Sequence, residues 1–377
     1  MKPQEVDKIW EQIVSKVGDM AERMQDKSPH RADKSGVYDS MPTWWWTSGF
    51  WPGMLWIMFD MTKEPVFKEK AWKWDAEIEK WLHEGELGQL HHDVGFQFLP
   101  TAVIKYILTG DREGKRIGLA AANFMAGRYN PVGKFIRAWN DDTWEMDKTT
   151  GWAIIDCSLN LSLLFWAANE TSDPRFKHIA TAHADTVLQH FIRPDGSVNH
   201  IVSFDAETGA FIESLGGQGF GPHSSWSRGQ AWALYGMANT YRYTGEKRFL
   251  DAAKRVAHYF LACLPEDGVP YWDFRTPDIV DEPRDSSAGA IAASGLLEIA
   301  ELTDSAESRL YQSAAERILA SLTQHCGTWD MSEHEAILLN ATGHKPGNVN
   351  VDVSLIYGDY YYVEAMAKLK GWSHRIF

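Results

Sequence analysis

Residues 228–253 read RGQAWALYGMANTYRYTGEKRFLDAA. The first half is apolar or small nearly all round, the composition of a helix buried on every side. Thr244, Gly245 and Glu246 interrupt it with turn chemistry. A second helix follows, and its continuation, DAAKRVAHYF (251–260), has one apolar stripe and one charged face. A buried helix joined by a tight turn to an amphipathic one is a hairpin with an inside and an outside.

The same phrase returns along the chain: GFWPGMLWIMFDMTKEPVF (49–67), TAVIKYILTGDREGKRIGLAAANF (101–124), CSLNLSLLFWAANETSDPRF (157–176) and SSAGAIAASGLLEIAELTDSAESRLY (286–311). Their turns carry Thr62, Thr109, Thr171 and Thr303, as Thr244 does here. A sixth apolar run, YGDYYYVEAMAKLKG (357–371), has no helix after it, and the amphipathic segment 1–24 supplies the missing partner. Twelve helices in six hairpins, buried ones inside and amphipathic ones outside, predict an all-α fold. The expected form is an (α/α)6 barrel, a closed double toroid rather than an open solenoid. It accounts for residues 1–377 as one catalytic domain, with no Pro/Ser-rich linker.

Composition excludes several classes. A net charge of −14 opposes general binding to nucleic acid or anionic membranes. No segment has the apolar length to span a bilayer, and the N-terminus lacks a signal-peptide pattern, which predicts a cytoplasmic protein. Cys157, Cys263 and Cys326 show no paired spacing and read as reduced thiols. The 18 tryptophans suit helix packing and also the apolar faces of sugar rings. The sequence assigns no oligomeric state.

In a toroid of antiparallel hairpins all inner helices run the same way, so their N-termini share one mouth. Trp46, HHDVGF (91–96), IIDC (154–157), WSRGQAW (226–232), RDSSAG (284–289) and YGDYYY (357–362) all fall there. Helix dipoles converging on that mouth favour an anionic ligand even in an acidic protein. Asp156 is the one charge in Gly151–Trp166, and burial would raise its pKa toward the range a proton donor needs. Asp93 fits either an N-cap or the second carboxylate of a pair. A metal site at His91, His92 and Asp93 is disfavoured, because adjacent histidines on a helix or strand point apart. Pro100 implies a kink or a later helix start. Arg228 can pair bidentately with a carboxylate, Trp46, Trp139 and Trp232 can stack on sugar rings, and His200 and Gln218 can bind hydroxyls or an acid group. His344 and Lys345, just before the last inner helix, are placed to reach an anionic group on a neighbouring sugar.

The motifs HHDVGF, IIDC, WSRGQAW, PEDGVPYWDF (265–274), RDSSAGAIAASGLLEI (284–299) and YGDYYYVEA (357–365) resemble, over nearly the whole chain, the unsaturated glucuronyl hydrolases of glycoside hydrolase family 88. The resemblance implies an (α/α)6 barrel that removes the 4,5-unsaturated uronic acid left by polysaccharide lyases at the non-reducing end of oligosaccharides, glycosaminoglycan-type or related. It further implies Asp156 as general acid and base, Asp93 as its companion, and Trp46, His92, Trp139, His200, Gln218, Arg228 and Trp232 as the lining of the sugar subsite, with no metal or cofactor. The serine- and lysine-containing pattern of members that prefer sulfated fragments is not reproduced around His344 and Lys345, so no sulfate preference is implied. The alternatives are an unsaturated rhamnogalacturonyl hydrolase acting on pectin fragments, a non-catalytic oligosaccharide-binding protein, and a sugar epimerase, which would want histidines as its acid–base pair.

Overall fold

The computed structural model describes residues 1–83, 89–140 and 149–377. In chain order the helices are α1 (Pro3–Met24), α2 (Phe50–Thr62), α3 (Pro65–Ala71), α4 (Trp74–His83), α5 (Val94–Phe98), α6 (Ile104–Thr109), α7 (Arg112–Gly127), α8 (Cys157–Thr171), α9 (Pro174–Thr186), α10 (Ser227–Thr244), α11 (Lys247–Cys263), α12 (Ser286–Glu301), α13 (Ser305–His325) and α14 (Ile356–Leu369). Between α5 and α6 the chain continues as a π-helical turn, Leu99–Val103. Pro100 lies within it: the ring removes one N–H donor, and the helix widens locally instead of stopping.

The inner ring closes. α2 packs on the π-helical turn, α5 on α8, α8 on α10, α10 on α12, α12 on α14, and α14 back on α2. The partners α3, α7, α9, α11 and α13 lie outside, and α1 packs against α14 and α2, filling the place left by the last hairpin. Burial follows the pattern read from the sequence: α12 is buried from Ser286 to Ala300, whereas α11 buries only Phe249, Leu250, Ala252, Ala253, Val256, Ala257 and Phe260.

The turn threonines share one device. Each hydroxyl donates to the carbonyl four residues back: Thr62 to Met58, Thr109 to Lys105, Thr171 to Ala167, Thr244 to Thr240 and Thr303 to Ile299, at 2.6–2.9 Å. The first four also accept the backbone N–H two residues on, at 3.2–3.3 Å. The residue between is left-handed in those four: Lys63, Gly110, Ser172 and Gly245. One side chain thus satisfies an orphan carbonyl of the inner helix and fixes the reversal into the outer one. Asp111, Asp173 and Asp304 then cap α7, α9 and α13.

The all-α expectation needs one addition. Three small antiparallel sheets occur among the described residues. They are built from β1 (Arg31–Ala32), β2 (Tyr129–Asn130), β3 (Phe135–Ile136), β4 (Trp152–Ile154), β5 (Ile201–Phe204), β6 (Phe211–Leu215), β7 (Ala341–His344) and β8 (Val349–Leu355). Their orders are β1-β8-β7, β2-β3 and β4-β5-β6. β4 leads into α8 and β8 into α14, so these sheets stand at the inner-helix N-termini.

The opposite end is shut by residues 372–377. Trp372 and His374 bond to Asp60 at the end of α2, and Arg375 pairs with Glu298 and Glu301 at the end of α12. The Phe377 ring enters the lumen against Phe96, Tyr360 and Tyr361. Access to the lumen is thereby left to the mouth.

Candidate active site

Asp93 and Asp156 occupy the N-cap positions of α5 and α8, yet neither side chain caps its helix. The capping explanation therefore fails for both. Asp156 is buried, and its Oδ1 has no hydrogen-bond partner. Burial first, and the nearby Asp93 charge second, push its pKa up to about 7 against the pull of His92 and Arg228.

Asp93 goes the other way. Burial would raise it, but His92, then His91 and the Asn160 amide, hold it below the ordinary carboxylate range. His92 Nε2 lies 3.0 Å from Asp93 Oδ1, off the line of a hydrogen bond, and His92 Nδ1 is 2.8 Å from the Ala138 carbonyl. Burial opposes charging His92, yet Asp93 outweighs it, with Asp156 and the Ala138 carbonyl adding, so its pKa is raised. Two carboxyls in one cavity are thus driven apart, one upward toward the neutral acid and one downward toward the anion.

Residues 91–93 form a turn, not a helix or strand, which corrects the expectation that the two histidines point apart. Their rings stack at 5.0 Å, and donor atoms of His91, His92 and Asp93 lie within 4.8 Å of one another. Proximity alone does not make a ligand set. His92 turns Nδ1 to the Ala138 carbonyl and Nε2 toward Asp93.

Around the pair the mouth is aromatic. Half-buried Trp46 packs on Tyr357 at 5.0 Å and on Phe96 at 5.9 Å, and Trp139 meets His92 edge-on at 5.9 Å. His200 precedes β5, where its Nδ1 accepts the Gln218 backbone N–H at 2.9 Å. The Gly216 carbonyl lies 3.1 Å from the same nitrogen, Nε2 is buried without a protein partner, and burial lowers the ring's pKa to about 3. Gln218 donates one amide hydrogen to the Gly343 carbonyl at 3.0 Å. His344, on β7, is among the groups acting electrostatically on His200. Lys345 follows in the turn to β8, where its carbonyl accepts from Asn348.

Arg228 and Trp232 are both buried. Arg228 Nη1 donates to Asp285 Oδ2 and the Thr342 carbonyl, each at 2.6 Å, and Nη2 to the Gly343 carbonyl at 2.7 Å, which uses three of its five N–H hydrogens. A buried guanidinium needs acceptors, and the protein supplies them from α12 and β7. Its charge still reaches the cavity, lowering the pKa values of Asp156 and His200. Trp232 is fully buried between Phe96 and Tyr361, at 4.9 and 5.4 Å, and its indole Nε1 has no hydrogen-bond partner.

Sequence reasoning passed over Asn160, Asp285, Tyr357 and His30. His30 lies against Trp45, Trp46 and Tyr357, and burial lowers its pKa to about 4. Asn160 was legible, since it stands four residues after Asp156 on the same helix face.

The family model described as Glycosyl Hydrolase Family 88 matches residues 20–377. The chain belongs to this family. It is therefore a glycoside hydrolase, and the sequence resemblance is borne out in family and in fold. Among relatives, it is 36% identical over 368 residues to the unsaturated glucuronyl hydrolase of Bacillus sp. (strain GL1), covering 96% of this chain and 97% of that one. It is 35% identical to the unsaturated chondroitin disaccharide hydrolase of Streptococcus pneumoniae (strain ATCC BAA-255 / R6), covering 98% and 92%. A crystal structure of unsaturated glucuronyl hydrolase from Bacillus sp. GL1 superposes with a TM-score of 0.91 at 37% identity, over 96% of this chain and 97% of that one. A Streptococcus agalactiae unsaturated glucuronyl hydrolase mutant complexed with dGlcA-GalNAc6S gives 0.84 at 28% identity, over 99% and 93%.

Proposed function

We propose that this family 88 hydrolase works through Asp156 as its proton donor and acceptor, with Asp93 as a fixed anion beside it. The chain releases unsaturated uronic acid from oligosaccharides, as the shared family and its relatives' activities support. In this reading the sugar is the 4,5-unsaturated residue at the non-reducing end of a lyase product. Its ring is an enol ether conjugated to a carboxylate. Protonation at C4 by neutral Asp156 places positive charge at C5 and the ring oxygen, and water then attacks C5. Asp156, now ionised, takes the proton that the water loses and is restored. The resulting hemiketal opens the ring and rearranges, releasing the aglycone, so carboxylate spacing does not decide retention or inversion.

The observation that carries this reading is the Asp156 carboxyl, buried, with one oxygen unpartnered and a pKa of about 7. A donor poised near the working pH is what general acid catalysis requires. The unpartnered His200 Nε2 and the second Gln218 amide hydrogen are offered to the substrate's carboxylate or hydroxyls, in the field of Arg228. Trp46 and Trp139 offer ring faces, while His344 and Lys345 lie toward the aglycone. We place the catalytic machinery in one domain spanning residues 1–377, and in the cytoplasm. Among the described residues no helix is long and apolar enough to cross a membrane.

The test is incubation with unsaturated disaccharides from chondroitin, hyaluronan, heparin, gellan and rhamnogalacturonan, following loss of the alkene's ultraviolet absorbance. Turnover of glucuronyl substrates supports the reading, and turnover of the rhamnogalacturonan product alone replaces it with the pectin-directed one. Binding of every disaccharide without turnover of any would leave a binding protein.

A further inference from the structure

One side chain joins the two carboxylate-bearing helices. Asn160, on α8, is fully buried, and its amide is spent in three directions. Nδ2 donates to the Asp156 carbonyl at 3.1 Å and to Asp93 Oδ1 at 3.4 Å, while Oδ1 accepts the Phe96 backbone N–H at 2.7 Å. The orientation is forced, because Phe96 N–H can only donate and the other two groups only accept. The contact also explains the glycine of HHDVGF. A Cβ at Gly95 would stand 2.3 Å from Asn160 Oδ1 and 2.8 Å from Asn160 Cα, so the first turn of α5 reaches this amide only as glycine.

We infer that Asn160 is the positioning residue of the reaction, a bracket that fixes the Asp93 carboxylate on α5 relative to Asp156 on α8. This rests on the function proposed above. Asn160 touches neither the substrate's path nor solvent; it acts through Asp93. An amide donor favours the charged carboxylate, so the bracket also helps keep Asp93 ionised, and Asp93's charge in turn helps keep Asp156 protonated. The other titratable groups acting with Asp93 are His91 and His92 on its own turn, Asp156 and Cys157 from α8, Arg128 from α7 and Tyr361 from α14. The Asn160 amide is the neutral donor among them.

Asn160→Asp is isosteric and keeps an acceptor for Phe96 N–H, but it replaces the donor with an acid. As an anion it repels Asp93; as a neutral acid it shares a proton with it. Either way the Asp93 carboxylate protonates at higher pH. Full pH profiles of kcat and KM on the unsaturated chondroitin disaccharide should show kcat lower by on the order of a hundredfold, with KM little changed. The acid limb should move up by about one pH unit. Asn160→Ser, neutral and too short to span, should shift the acid limb in the same direction but less. Unmoved acid limbs in both folded variants overturn the inference, as does a failure of both to fold, which would make Asn160 a residue of the fold alone. Wild-type and Asp156→Asn enzymes run alongside separate the two claims: an active wild type and a dead Asp156→Asn leave the function standing while the bracket falls.

Discussion

Replacing Asp156 by asparagine should make the protein more stable and inactive at once. The folded protein holds this carboxyl at a pKa of about 7, against 3.8 for the ordinary group. At about 1.4 kcal/mol per pH unit, that rise is worth on the order of 4 kcal/mol. The sign follows from which state binds the proton more tightly. The folded state does, so the penalty is absent below about pH 4, grows through the interval, and is complete above about pH 7, where the buried carboxylate is charged. An uncharged amide in its place would carry no such penalty. With an unfolding entropy of roughly 2.1 cal/mol/K per residue over 377 residues, 4 kcal/mol corresponds to about 5 °C in Tm. The variant should therefore melt about 5 °C higher than wild type at pH 8 and at the same temperature near pH 4. Turnover should fall by at least the hundred- to ten-thousandfold typical of a lost general acid. Calorimetry at pH 4, 6 and 8, paired with the alkene absorbance assay, measures both. A variant that melts lower than wild type at pH 8 and keeps its turnover would refute the reasoning, because Asp156 would then be an ordinary polar contact.

Asp93→Asn removes a charge that raises Asp156. The basic limb of its residual pH–rate profile should move from about pH 7 toward the ordinary carboxylate range, as a pH-jump series on the same disaccharide would show. Arg228→Met leaves Asp285 buried without its cation; it should cost about 3–5 kcal/mol in urea unfolding. Trp46→Ala should raise KM by up to roughly tenfold through lost stacking on the sugar. Exhaustive chelation should leave kcat/KM unchanged, and a loss restored by added metal would reinstate His91, His92 and Asp93 as a ligand set.

The hairpin repeat was legible because burial on all sides and burial on one side leave different periodicities, and the turn threonines mark where one gives way to the other. Asp156 was legible for a related reason, as a lone charge in an apolar run. Two-residue strands such as β1, β2 and β3 have no periodicity to read: β2 and β3 pair across a local turn, and β1 formed only where the fold brought residues 31–32 beside 354–355.

The side-chain roles divide along the same line. Local sequence determined which residues stand at the inner-helix N-termini, since one antiparallel hairpin after another leaves them no other end. It could not determine what each would meet there. Arg228 finds acceptors on Asp285, Thr342 and Gly343, 57 or more residues away. Trp232 meets Phe96 and Tyr361 across the lumen, neighbours from other hairpins that no local pattern predicts. The opposite protonation tendencies of Asp93 and Asp156 arise from burial and from each other, although the two stand on different hairpins. These are properties of groups brought together by closure of the ring, and a charge's free energy depends on all that surrounds it in space.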